Sequence, residues 1–332
     1  MTLLEVKNLK TYYTTLSGQV KAVDGASFEV NQGTATGIVG ESGCGKTTVA
    51  LSIMRILPQG GRIVDGKILY KNKDLVKLHD DEIREDIRWK EIAIVFQGAM
   101  NALNPVFKIG DQISEAILIH EPSISRREAN DRSAKLLELV GIDPSRLSNY
   151  PHEFSGGMRQ RAMIAMALAS NPSLLIADEP ATALDVIVAA QVLQLMKELK
   201  ERLNLGMILI THDLSIVAEI CERAAVMYGG KVMEYADVVD IFKNPLHPYT
   251  QGLISAFPSI QAKERVRMVS IPGSPPDLLQ PPSGCVFHPR CKYAMDICKK
   301  EVPVSIESKN GHFVACHLVH KEEKCIEKVG VA

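Results

Sequence analysis

No sign of charge dominates this chain. Its 38 basic and 39 acidic residues leave a net charge of −1, so it lacks the basic excess or stripe of a nucleic-acid-binding face. Long apolar runs are missing too: no stretch approaches the ~18–20 residues of a membrane span. Met1-Thr2-Leu3-Leu4-Glu5 has neither a basic start nor a long apolar core. No signal peptide is therefore expected, and any membrane association should come through a partner. Internal repeats, low-complexity tracts and sustained heptads are absent. What remains is a globular composition, 46% hydrophobic and 23% charged, in a chain longer than one ordinary domain. One large domain with an appendage, or two domains, is expected.

The most informative stretch is Thr36-Gly37-Ile38-Val39-Gly40-Glu41-Ser42-Gly43-Cys44-Gly45-Lys46-Thr47-Thr48. It reads as an apolar strand, a glycine-rich turn and the first turn of a helix. Gly40, Gly45, Lys46 and Thr47 satisfy G-x-x-x-x-G-K-[ST], the phosphate-loop pattern. Glycines let backbone N–H groups point inward at an anion without a Cβ intruding, and the following helix aims its positive end at the same place. Lys46 is expected to reach the β- and γ-phosphates, and the Thr47 hydroxyl to bind Mg²⁺. A glycine-rich turn that binds nothing is the bland alternative, and the complete pattern in this context counts against it.

Elsewhere the pattern is mostly that of alternating strands and helices. Leu4-Glu5-Val6 and Ala26 to Val30 alternate in the strand period, with turns at Ser17-Gly18 and Asn31-Gln32-Gly33. A helix is expected from the phosphate loop to about Ile56, a hairpin over Arg62 to Tyr70 turning at Asp65-Gly66, and a short strand over Ile92 to Phe96. From Gln112 to Ser170 the pattern is helical, with a capping box at Ser125 to Glu128. Ser173 to Ala177 is an apolar strand ending in Asp178-Glu179-Pro180. A long helix follows from about Asp185 to Asn204, ending near Gly206, and then a strand over Met207 to Ile210. Strands alternating with helices imply a mostly parallel sheet. Beyond Tyr249, Pro258, Pro272, Pro275, Pro276, Pro281 and Pro282 break regular structure, suggesting a linker to a small appendage.

Asp178-Glu179 sits where ligands of open α/β sheets gather. An aspartate there holds Mg²⁺, and the adjacent glutamate polarises an attacking water; solvated turn residues are the alternative. Ser155-Gly156-Gly157 opens a helix with a hydroxyl and free N–H groups, a second anion site or a plain cap.

Together these stretches resemble the ATP-binding subunits of ABC transporters. Ser155-Gly156-Gly157-Met158-Arg159-Gln160 resembles the family signature, Asp178-Glu179-Pro180 the second nucleotide motif, Ala183-Leu184-Asp185 the D-loop, Gln97 the Q-loop glutamine and His212 the switch histidine. They stand in the family order over about residues 3 to 240. The resemblance implies an α/β P-loop ATPase with a mostly parallel core sheet, an N-terminal antiparallel β subdomain and an inserted helical subdomain at about 99–171. The nucleotide-binding domain would cover 1–250, followed by a cysteine-rich C-terminal appendage at 251–332. It also implies a head-to-tail dimer with a second ATPase subunit, identical or paralogous. One chain's phosphate loop and the other's signature, Ser155, Gly156, Gly157 and Gln160 with Asp185, would then clamp each ATP. Gln97 and His212 would sense the γ-phosphate, with Gln97 also on Mg²⁺. Tyr12 or Tyr13 could stack on adenine, and the resemblance favours Tyr13.

A narrower resemblance rests on Asn101-Ala102-Leu103-Asn104-Pro105, Ile109 to Ile113, and Asn244-Pro245-Leu246-His247-Pro248-Tyr249-Thr250. These are similar to the oligopeptide/dipeptide branch of ABC importers, some of whose members carry other solutes such as nickel. The implied partners are two membrane permease subunits and, indirectly, a substrate-binding protein, with this chain peripheral at the cytoplasmic face of the membrane. The stretch from Gln97 to Asp111, Met100 to Pro105 above all, is placed to signal to a permease.

Seven cysteines are unevenly spread, five of them in the last fifth of the chain. Cys285-x5-Cys291-x6-Cys298-x17-Cys316 supplies four thiolates, the number a [4Fe–4S] cluster or structural Zn²⁺ needs. The spacing resembles the cluster pattern of oligopeptide-importer ATPases. Zinc, with His288, His312 or His317, and four ordinary thiols are the alternatives. Because the tail is proline-rich and poor in large apolar side chains, it is expected to depend on such a group for folding. Two other functions compete with the importer ATPase. A soluble ABC-type ATPase acting on ribosomes or DNA usually carries two fused halves or long coiled coils. A redox or iron-sensing module would not need the Asp178-Glu179 pair.

Overall fold

The computed structural model describes residues 1–98, 102–256, 271–309 and 311–319. Met100 and Asn101 of the expected permease-facing stretch, Pro258 and Cys325 lie outside the described residues. The elements in chain order are β1 (Thr2–Thr15), β2 (Gly18–Asn31), β3 (Ala35–Val39), α1 (Lys46–Ile53), β4 (Gly61–Tyr70), β5 (Lys73–Asp74), α2 (Asp80–Glu82), β6 (Ile92–Val95), α3 (Ile109–His120), α4 (Arg126–Leu139) and α5 (Gly156–Ala167). They continue with β7 (Leu174–Asp178), α6 (Val186–Leu203), β8 (Gly206–Thr211), α7 (Leu214–Ile220), β9 (Arg223–Tyr228), β10 (Lys231–Asp237), α8 (Val238–Lys243), α9 (Pro248–Ser255), β11 (Ile306–Lys309) and β12 (His312–Val314). No helix among the described residues is long and apolar enough to cross a membrane.

The chain divides into two compact units, one made of Met1–Leu4, Val30–Ala35 and Tyr70–Ile210, the other of Glu5–Glu29, Thr36–Leu69 and Thr211–Ala332. In the first, β6, β7 and β8 run parallel, with Ile92 opposite Leu174 and Leu174 opposite Gly206. Every residue of β7 and β8 is buried, as expected of strands covered on both faces. Helices α3, α4 and α5 pack on one another, and α5 also meets α6 and β6. Local chemistry sets the helix ends. Ser125 and Asp185 cap α4 and α6 by accepting from the Glu128 and Val188 N–H groups, and Asn204, at φ 51°, closes α6 in the left-handed region. Gly206, expected near that helix end, follows it as the first residue of β8.

In the second unit β3 and β9 are parallel, whereas β10 runs antiparallel to β9, β12 to β10, and β11 to β12. The parallel strands thus carry an antiparallel flank that ends in the C-terminal tail. Strands β1 and β2 form a hairpin around Leu16-Ser17. The hairpin expected at Asp65-Gly66 does not form; β4 runs unbroken from Gly61 to Tyr70. Gly66, at φ 96°, lets the strand pass close to β1, where a Cβ would meet the Asn8 carbonyl oxygen at 2.5 Å. Helix α1 stops at Ile53, short of the expected Ile56.

The tail is not loose, and the expectation that it lacks buried apolar surface is corrected. Val286, Phe287, Val314, Ala315 and Val319 are all buried. Phe287 packs against Tyr228, Tyr249 and His247 at centroid distances of 5.2, 5.3 and 5.7 Å. Glu234, on β10, is fully buried and accepts from the Leu246 and His247 N–H groups at 2.8 and 3.0 Å, with His312 Nε2 at 2.6 Å. One carboxylate therefore gathers β10, the start of α9 and β12.

Burial holds the His247 imidazole down at about 4, below the ~6.5 of an unfolded chain. As pH falls, the unfolded chain takes up the proton first, so stability present above pH ~6.5 is lost as the pH drops towards 4. Urea midpoints measured across this window should fall for the native chain, with a contribution of up to ~1.4 kcal/mol per pH unit that a His247→Asn variant lacks. Equal slopes for the two proteins would contradict it.

Candidate functional site

In the second unit, β3 is buried throughout and delivers the chain into the phosphate loop. Gly45, at φ 103°, begins α1, and a Cβ there would meet the Ala22 carbonyl oxygen at 2.1 Å. No side chain caps the helix start, so its first N–H groups are left for the loop's interior. Lys46 is buried, and its ammonium donates to the Gly40 and Glu41 carbonyls at 2.8 and 3.0 Å. Thr47, Ser42 and Gly43 are exposed. Cys44 is buried with its Sγ 3.8 Å from Lys46 Nζ; burial raises its thiol against the opposing pull of Lys46, which keeps it protonated. Thr48 Oγ1 lies 3.4 Å from the Tyr13 hydroxyl. Tyr12 is engaged elsewhere, donating to Asp24 at 2.7 Å. His212 is exposed in the turn between β8 and α7.

Two features of the loop left no local signal in the sequence. The Glu41 N–H donates to the Tyr249 hydroxyl at 3.0 Å, and the Glu41 carboxylate receives both arms of the Arg290 guanidinium.

In the first unit, β7 ends at buried Asp178 and passes to Glu179. Glu179 adopts φ 46°, a left-handed conformation uncommon for a residue with a Cβ. Its N–H still donates to the Ile210 carbonyl at 2.9 Å. Its carboxylate accepts from Gln97 Nε2 and from the Thr182 hydroxyl, both at 2.9 Å. The structure thus brings Gln97 and Glu179 together and adds Thr182, which the motifs did not single out. Neutral donors orient the carboxylate without cancelling its charge.

Ser155 caps α5 by accepting from the Met158 N–H at 3.3 Å, and both Ser155 and Asp185 are exposed. Gly157 is required by packing, because a Cβ there would meet Val188 Cγ1 at 2.4 Å. Gln160, expected to act with them, is 4% exposed. Just past Asp185, Val186 and Ile187 are 86% and 72% exposed. Between β6 and α3, Gln112 ties its loop by donating to the Asn104 and Phe107 carbonyls and accepting from the Asn104 N–H, leaving Val106 and Phe107 exposed.

In the tail, Cys285 and Cys298 are buried, Cys291 and Cys316 half-buried, and none is in a disulfide. Burial pushes the Cys285 thiol up to about 11, and the charges of Cys298, Cys316 and Cys291 push the same way. Burial raises the Cys316 thiol as well. The histidines offered as zinc ligands are engaged elsewhere: His288 with the Cys285 carbonyl, His312 with Glu234 and His317 with the Glu301 carbonyl. Among the described residues no group of three or more His, Cys, Asp or Glu side chains is arranged to hold a metal ion. Neither the zinc site nor the cluster gains support from that arrangement.

A family model described as ABC transporter matches residues 23–182, and one described as oligopeptide/dipeptide transporter, C-terminal region, matches 233–298. The chain is 45% identical over 317 residues to the dipeptide transport ATP-binding protein DppD of Caldanaerobacter subterraneus subsp. tengcongensis, covering 95% of this chain and 97% of the relative. It is 45% identical over 328 residues to the oligopeptide transport ATP-binding protein OppD of Bacillus subtilis, covering 98% and 91% respectively. Among solved structures, the dimeric structure of MJ0796, a bacterial ABC transporter cassette, matches with a TM-score of 0.63 at 27% identity, over 71% of this chain and 98% of that one.

The contact at Gly157 is open to a direct test. Gly157→Ala should lower stability by about 1–3 kcal/mol through overpacking, and Val188→Ala in the same chain should restore part of the loss. Urea denaturation of the single and double variants measures both effects.

Proposed function

Because this chain belongs to the ATP-binding subunits of ABC transporters, in the branch that carries the oligopeptide/dipeptide C-terminal region, we propose that it is the energy-coupling ATPase of an importer for di- or oligopeptides. It hydrolyses ATP. The observation that carries the catalytic reading is the Glu179 carboxylate, held by Gln97 and Thr182 at the end of a buried strand. Glu179 is the general base that takes the proton of the attacking water, and His212 and Gln97 report on the γ-phosphate. Residues 40–48 bind the triphosphate through backbone N–H groups and Lys46, and Tyr13 lies under adenine. Thr47, Gln97 and Asp178 offer the oxygen donors that Mg²⁺ takes. When bound, the ion neutralises charge on the β- and γ-phosphates.

Ser155, Gly156, Gly157 and Asp185 serve the nucleotide of a second ATPase subunit in a head-to-tail dimer. In support, Ser155 is exposed at the start of α5, and the neighbouring Val186 and Ile187 are an apolar pair open to a partner. The transporter has two permease subunits, and a permease helix docks on the loop before α3, where Val106 and Phe107 are 70% and 54% exposed. The chain sits peripherally at the cytoplasmic face of the membrane, and a substrate-binding protein hands over the peptide. Cys285, Cys291, Cys298 and Cys316 are read as ligands of one [4Fe–4S] cluster from their number and spacing in the sequence.

Glu179→Gln should retain ATP binding while losing turnover by at least ~10²-fold, the scale of general-base catalysis. Lys46→Ala should lose binding itself. Near-normal turnover by Glu179→Gln in the assembled transporter would remove the base assignment. For the tail, anaerobically purified protein should contain iron and sulfide in near-equal amounts. One zinc per chain with no sulfide would refute the cluster.

A further inference from the structure

Glu41 is an acidic residue inside a loop that holds a polyanion. Its main-chain carbonyl accepts from Lys46, so the residue borders the lysine's resting place directly. An uncompensated carboxylate there would repel phosphate at short range. The tail supplies the compensation. Arg290 Nη1 lies 2.6 Å from one Glu41 carboxylate oxygen and Nη2 3.0 Å from the other. Its remaining donors go to the Tyr228 hydroxyl at 3.2 Å, the Pro272 carbonyl at 2.8 Å and the Ile271 carbonyl at 3.1 Å. A guanidinium has five N–H donors, and all of them are engaged. The Arg290 side chain is 6% exposed and that of Glu41 27%, which separates this contact from the exposed ion pairs that contribute little.

The backbone of Glu41 is held from the same side. Its N–H is taken by the Tyr249 hydroxyl, and the Tyr249 ring packs on Tyr228 at 4.7 Å. The His-Pro-Tyr segment and the cysteine-rich tail therefore grip one residue of the phosphate loop, one through its main chain and the other through its charge.

We propose that Arg290 is a positioning residue for nucleotide binding: it neutralises Glu41, draws the carboxylate towards the tail and, with Tyr249, fixes the phosphate loop in its binding conformation. The inference rests on the reading of residues 40–48 as the nucleotide site. It gives the tail a defined effect on ATP affinity whether or not the four thiols hold a cluster.

The test uses the full chain, with Mg-ATP as the probe in equilibrium binding and, with its transporter assembled, steady-state hydrolysis. Arg290→Ala should raise both Kd and KM for ATP about tenfold with kcat within about twofold, Arg290→Lys should fall between it and the native chain, and Arg290→Ala/Glu41→Gln should return to within about threefold of native affinity. The double variant is decisive, because removing the carboxylate should relieve the defect only if the arginine acts through it. Native affinity in Arg290→Ala overturns the inference. So does a double variant as weak as the single one, which would reduce Arg290 to building the tail. A native chain that binds no ATP removes the nucleotide reading itself, and the inference with it.

Discussion

A phosphate loop has few hydrogen bonds of its own, because most of its N–H groups must point inward and stay available. Here the Cys44 N–H donates to the Glu41 carbonyl at 3.3 Å and Lys46 to the Gly40 and Glu41 carbonyls. Further restraint comes from outside, and the second unit is arranged to supply it. Strand β2 presses the Ala22 carbonyl against Gly45, and β9 presses the Met227 carbonyl against Gly40, each leaving no room for a Cβ. The turn after β9 donates its Gly230 N–H to the Cys44 carbonyl at 3.1 Å. Tyr249 and Arg290 take Glu41 from the C-terminal side. The glycines of the loop answer two demands at once: inward N–H groups, and walls close enough to keep them there.

The C-terminal contribution depends in turn on Glu234. A buried carboxylate is costly unless its oxygens are satisfied, and three donors from two separate segments do so. Leu246 and His247 bring the start of α9 to β10, and His312 brings β12. Phe287 then fills the space beside Tyr228 and Tyr249. The tail is thereby built into the core of the unit that carries the phosphate loop, which explains how a proline-rich segment reaches the burial seen at Val286 and Val314. A metal group is not the sole means by which it could be ordered.

Features encoded by neighbouring residues were legible in the sequence. The apolar run before Gly40, the Ser155 cap, the Asp185 and Asn204 ends of α6 and the strand before Asp178 each depend on a few adjacent side chains, and each lies within a residue or two of its expected place. Gly66 was misread because a glycine in a strand signals either a turn or a close approach, and the sequence does not say which. The strands of the tail were missed because they are short and take their stability from β10, not from an alternating pattern of their own. The Arg290–Glu41 contact joins residues 249 apart, and no local periodicity records such a pair. Thr182 escaped for a different reason: its hydroxyl reads as one more turn residue until the left-handed Glu179 bends the chain back over it.

Two glutamates, one in each unit, have opposite surroundings, and the difference fits the roles proposed for them. Glu41 carries a charge that the phosphate loop does not need, and a bidentate guanidinium cancels it. Glu179, as the proposed base, must keep a negative charge facing water, and its carboxylate is steadied by an amide and a hydroxyl. Had these partners been exchanged, a cation beside Glu179 would weaken its pull on a proton, and neutral donors beside Glu41 would leave its repulsion intact. The donors that orient Glu179 come from loops of the first unit, whereas the cation that silences Glu41 comes from the tail. On the proposed reading, the tail acts on phosphate binding through Glu41 alone, within its own unit.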